Sequence, residues 1–166
     1  VHSLYLSNPR SVKFTTIEKY YINEPGSTWI RTIVNSEIDR CIICTISIAE
    51  VASAIAQVQR STMLSKKRMR QSYLKFRSDV RRGLFLAHAV NLQALDFAAE
   101  LALKYPLKGF DATQVASALL ASSILDQSVV FVSGDKQALN AAKNEGLYCE
   151  NPFEHVATEE AERQRK

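Results

Sequence analysis

The sequence predicts an α/β protein, a three-layer α/β/α sandwich around a mostly parallel sheet, and three observations carry that prediction. Two short runs, residues 41–45 and 129–132, are continuously apolar but for Thr45, as befits strands covered on both faces rather than half exposed. Between the apolar runs lie segments whose apolar residues return every three or four positions, as Ile48, Val51, Ala52, Ile55 and Val58 do. Strand-type and helix-type segments alternate along the chain, which calls for crossover connections and therefore parallel pairing.

Taken in order, residues 11–16 read as a first short strand, and residues 17–23 as a turn or two of helix stopped by Glu24-Pro25-Gly26. Ser27 is placed to cap a helix to about residue 36 that offers Trp29, Ile30, Ile33 and Val34 to the core. The strand at 41–45 is followed by the amphipathic helix 47–60. A long basic helix then spans 65–82, with Met69, Leu74, Phe76 and Val80 among its Lys and Arg, and Gly83 stops it. Residues 84–90 read as a strand. Asn91 caps a helix to about Tyr105, where Pro106 ends it, and Asp111 opens an apolar helix to about residue 125. After the strand 129–132, Ser133-Gly134-Asp135 turns into a helix ending near Gly146, and residues 147–149 add a last short strand. Residues 1–153 are thus expected to form one domain, with 154–166 a charged tail that frays or forms an exposed helix.

The bulk properties narrow the function classes. At 166 residues one core suffices, burying roughly 70% of the surface the unfolded chain exposes. The net charge of +4 and a pI near 9.0 favour an anionic partner such as nucleic acid. No apolar run approaches the ~20 residues of a membrane span. Three cysteines and no secretory h-region at the start of the sequence imply a reducing compartment, with cytoplasm as the expectation. Cys41 and Cys44 form C-x-x-C, but on a buried strand their side chains should point to opposite faces, which argues against a redox or zinc pair. Ser72-x-x-Lys75 lies mid-helix without its companion motifs, and the sequence has neither a Walker-type phosphate loop nor G-x-G-x-x-G.

In an open α/β sheet the binding crevice lies beyond the carboxyl ends of the strands, and three acids stand at such places: Glu50, Asp111 and Asp135. Each also has a local reading as helix-end chemistry. Ser47-x-x-Glu50 and Asp111-x-x-Gln114 fit capping boxes, and Asp135 fits a first helical turn. Three such acids, with the close backbone approach that Ser133-Gly134 permits, suit a hard divalent ion, Mg²⁺ or Mn²⁺, held by oxygen ligands for phosphodiester hydrolysis. That chemistry needs no catalytic His, which suits a chain with His2, His88 and His155 scattered along it. Lys66, Lys67, Arg68 and Arg70 form a basic run that could track a nucleic-acid backbone or simply be a solvated helix face.

Five segments in one order carry a resemblance. They are Tyr20-Tyr21-Ile22-Asn23-Glu24-Pro25-Gly26-Ser27 with Trp29, Thr45-Ile46-Ser47-Ile48-Ala49-Glu50-Val51, the run from Phe110-Asp111 to Leu119, Phe131-Val132-Ser133-Gly134-Asp135-Lys136, and Glu150-Asn151-Pro152. Over about residues 12–153 the chain resembles PIN domains of the VapC type, the toxin ribonucleases of toxin–antitoxin pairs. The resemblance implies a Mg²⁺- or Mn²⁺-dependent endoribonuclease acting on RNA, frequent homodimers, and inhibition by a small antitoxin protein. It also implies Glu50, Asp111 and Asp135 as the metal-binding and catalytic acids. The family's remaining acid ends its first strand, and counting back from Lys19 without a gap puts Lys13 in that slot, with Glu18 the nearest acid. A lysine there would repel a divalent ion. A catalytically degenerate PIN scaffold that binds RNA or a partner protein without hydrolysis is therefore the alternative expectation.

Overall fold

A computed structural model describes residues 12–36, 40–62, 65–125 and 128–156. In chain order the elements are β1 (Val12–Thr15), α1 (Glu18–Tyr21), α2 (Ser27–Val34), β2 (Arg40–Cys44), α3 (Ser47–Thr62) and α4 (Lys66–Arg81). They continue with β3 (Leu86–His88), α5 (Leu92–Lys104), α6 (Gly109–Ile124), β4 (Val129–Val132), α7 (Lys136–Asn144) and β5 (Tyr148–Glu150), and a short 3-10 helix spans Pro152–His155. The five strands form one sheet in the order β3-β2-β1-β4-β5, and every pairing is parallel. The fold is a three-layer α/β/α sandwich, as the alternating patterns predict. Most of the tail, residues 157–166, lies outside the described residues.

Alternation along the strands sorts the core into two layers. Val12, Phe14, Ile42, Cys44, Val129 and Phe131 face α5, α6 and α7, packing on Leu101, Val115 and Leu139. Cys41, Ile43 and Val132 face α2, α3 and α4, packing on Ile30, Val51, Ile55 and Phe76. Cys41 and Cys44 therefore belong to opposite layers. On α4 the buried stripe is Met69, Tyr73, Phe76 and Val80, at helical spacing, whereas Leu74 falls between its members and is 49% exposed.

Several local expectations yield to tertiary contacts. Gly26 (φ 84°), not Ser27, holds the N-cap position of α2. Ser27 is buried, and its hydroxyl accepts from Glu24 N (2.9 Å) and donates to Ile22 O (2.7 Å), tying down the preceding loop. Asp111 does not open its helix, because α6 starts at Gly109 and Asp111 lies in its first turn. The strand expected at 84–90 shortens to Leu86–His88, since Leu84 N donates to Asp79 O (3.0 Å) and so belongs to the turn that ends α4.

Candidate functional site

Strand order fixes where a site can form. From β1 the chain moves to β2 and β3 on one side and to β4 and β5 on the other, so the crevice of the fold opens beyond the carboxyl ends of β1 and β4. A cleft of about 300 Å³ lies there, lined by Thr16 and Glu18 after β1, Glu50 of α3, Asp111 and Gln114 of α6, and Ser133-Gly134-Asp135 after β4, with Lys19 and Phe153 at its side. The three sequence-selected acids thus meet in one cleft, and Glu18 joins them. A larger groove of about 540 Å³ between the α1–α2 loop, α3 and α4 contains none of these acids.

Each acid has its own environment. Glu50 Oε2 accepts a hydrogen bond from Gln114 Nε2 at 2.5 Å. Glu50 and Gln114, the fourth residues of the two expected capping boxes, thus pair with each other across α3 and α6. Ser47 Oγ, buried beside Glu50, has no good hydrogen-bond partner and holds that carboxyl down only weakly. Asp135 does cap its helix, Oδ1 accepting from Ala138 N (2.8 Å), and Ser133 Oγ accepts from Asp135 N (3.1 Å). Burial, the Glu18 charge and the Asp111 charge push the Glu50 carboxyl up to about 7, against the pull of Gln114. Burial and the Asp135 charge raise Asp111, partly offset by Lys108, and burial raises Glu18. Glu50 thus feels the charges of Glu18 and Asp111, and Asp111 that of Asp135, which links these acids electrostatically.

Lys13 is not among the cleft-lining residues. Its ammonium pairs with Glu150 Oε1 (3.3 Å) and stands 6.0 Å from the Trp29 ring. β1 runs on to Thr15, opposite Val132, and Thr16 N donates to Val132 O (3.2 Å), so the residue at the strand's cleft end is Thr16. Lys13 therefore stands outside the cleft lining with its charge paired to Glu150. The lysine that does enter the cleft is Lys19, buried, with Nζ 2.7 Å from Glu24 Oε1 and 4.3 Å from the centre of the Phe153 ring. Lys66, Lys67, Arg68 and Arg70 are all exposed at the start of α4.

The donor set is all oxygen, with no His or Cys in the lining, which suits Mg²⁺ or Mn²⁺ rather than a soft metal. Among the described residues no group of three or more His, Cys, Asp or Glu is gathered tightly enough to hold a metal ion as the side chains stand. The cleft has the charge and donor chemistry for a divalent ion but not a closed coordination shell.

A pH dependence follows from Glu50. Its folded-state pKa lies above the unfolded value of 4.5, so the folded chain holds the extra proton, and the stability this contributes is complete below pH 4.5 and lost as the pH rises to about 7. Full conversion of that shift would amount to ~3 kcal/mol, and screening in a partly open cleft reduces it to about 1–2 kcal/mol. Glu50→Gln is therefore expected to raise the metal-free melting temperature at pH 8 by about 2–6 °C and to leave it little changed at pH 4.5. Thermal melts of both proteins in EDTA across that range check it; a gain of equal size at both pH values would refute the electrostatic cause.

No protein-family model matches the chain, and no curated protein matches it. Among solved structures the chain is similar to the crystal structure of PAE2754 from Pyrobaculum aerophilum, with a TM-score of 0.56 and 16% sequence identity over 96% of each chain. At that identity the likeness shows the α/β/α fold alone. No helix of the described residues is long and apolar enough to cross a membrane.

Proposed function

We propose that this chain is a PIN-type endoribonuclease that depends on Mg²⁺ or Mn²⁺ and hydrolyses RNA phosphodiesters with water as the nucleophile. The observation that carries the reading is the convergence of Glu18, Glu50, Asp111 and Asp135 on one cleft at the strand-order reversal between β1 and β4. These four side chains would hold the ion, and Gln114 steadies the Glu50 carboxylate through its hydrogen bond. When bound, the divalent ion supplies charge neutralisation to the phosphodiester and acidity to the attacking water. The exposed Lys66, Lys67, Arg68 and Arg70 offer a sequence-independent track for the RNA backbone. A small antitoxin covering the cleft, a homodimer and a cytoplasmic setting complete the proposal on the same resemblance.

The test is cleavage of single-stranded RNA by the full chain with Mn²⁺, with Mg²⁺ and with excess EDTA. Cleavage with either ion and none in EDTA is expected, and cleavage unaffected by EDTA would overturn the metal-dependent reading. The missing coordination shell favours a second reading, a scaffold that binds RNA or a partner protein without hydrolysis. RNA binding with neither Mn²⁺ binding nor cleavage would select it.

A further inference from the structure

Phe153 is an aromatic residue that the proposed chemistry leaves without a task. It belongs to the 3-10 helix that follows β5, yet its ring reaches the carboxylate cleft and lines it beside Gly134 and Lys19. The placement is built rather than accidental. Pro152 is buried against Gly26, where even a Cβ would stand 2.8 Å from the proline Cβ. Asn151 Oδ1 accepts from Phe153 N (3.0 Å) and fixes the start of the turn. The ring then packs so closely on Gly134 that a Cβ there would lie 2.8 Å from Phe153 Cε2. Lys19 Nζ, 4.3 Å from the ring centre, pins it from within. In spite of these contacts Phe153 stays 46% exposed. The ring thus offers open aromatic surface at the mouth of a polar cleft.

We infer that Phe153 is the stacking platform for an unpaired nucleobase of an RNA strand whose phosphate enters the carboxylate cleft. The inference rests on the ribonuclease reading for the phosphate and adds the recognition element for the base. Every base has a π-face, so an exposed aromatic ring next to a phosphate site grips a nucleotide irrespective of sequence, provided the base is free of its own stack. The platform therefore selects single strands over duplex. Lys19 acts as a positioning residue, holding the ring through its cation–π contact and standing between the carboxylates and the base.

The experiment measures binding of a short fluorescently labelled single-stranded RNA, and of its blunt duplex, by anisotropy in EDTA. All proteins carry Asp111→Asn, which lowers the negative charge of the cleft, and without metal the RNA stays intact while the base contact is read. Phe153→Leu keeps an apolar contact on Gly134 but removes the π-face, and is expected to weaken single-strand binding about five- to hundredfold. Phe153→Trp is expected to restore or exceed the Phe153 affinity, which a merely structural role would not do. Duplex affinity should be low and the same for all three proteins. Equal single-strand affinity with Leu, Phe and Trp, no single-strand binding, or duplex binding as tight as single-strand binding would each overturn the platform. Cleavage by the chain with Asp111 and Phe153 intact is scored separately. Its absence beside a Leu defect and a Trp rescue removes the hydrolysis reading and leaves the platform standing.

Discussion

Asp111→Asn is expected to lower Mn²⁺-dependent cleavage of single-stranded RNA by about a hundredfold or more while making the metal-free protein more stable at pH 8. The two effects have one cause. Asp111 sits in the first turn of α6 without capping it, and burial together with the Asp135 charge raises its carboxyl pKa. An ionised Asp111 thus costs stability in the metal-free chain, and the isosteric amide removes that cost. The same amide takes one anionic carboxylate from a set of four, and loss of even an outer partner of a metal site typically costs 10–100-fold. Initial rates in Mn²⁺ and thermal melts in EDTA read the two effects independently. A variant that melts higher but cleaves normally would leave Asp111 as ordinary helix-end chemistry.

The second large effect is structural. Gly26→Ala is expected to destabilise the fold by about 2–5 kcal/mol, against about 1–2 kcal/mol for Gly83→Ala. Both glycines have a left-handed backbone, with φ of 84° and 76°, so both variants carry the ~1–2 kcal/mol intrinsic strain of that region. Only Gly26 also meets close neighbours, since its Cβ would lie 2.8 Å from Pro152 Cβ and 2.9 Å from Pro152 O, while nothing lies within 4 Å at Gly83. Overpacking of that kind costs a further ~1–3 kcal/mol. Because Pro152 leads directly into Phe153, the Gly26 variant should also loosen the mouth of the cleft. Denaturant melts of the two variants check the difference, and equal losses would mean that the Pro152 contact contributes nothing.

The sandwich was legible because its signals are local and repeated: apolar runs for strands buried on both faces and a 3.6-residue period on α3 and α4. The cleft acids Glu50, Asp111 and Asp135 were legible because they follow strands or stand in first turns. Long-range pairing was not legible. Ser47-x-x-Glu50 and Asp111-x-x-Gln114 each look like a self-contained cap, and no local rule says that Glu50 and Gln114, 64 residues apart, will bond to each other instead. The first strand, read at 11–16, is found at Val12–Thr15, but counting back from Lys19 put Lys13 in the acid's slot, whereas the residues lining the cleft after this strand are Thr16, Glu18 and Lys19. Phe153 gave no warning, since only the docking of Pro152 on Gly26 carries it there.

Calorimetric titration of Mn²⁺ into the metal-free chain at pH 8, beside the same titration of Asp111→Asn, tests most directly whether these carboxylates act as one site. The expected result is saturable millimolar or tighter binding to the unmodified chain and its loss in the variant. No binding to the unmodified chain, or equal binding to both, would contradict the account.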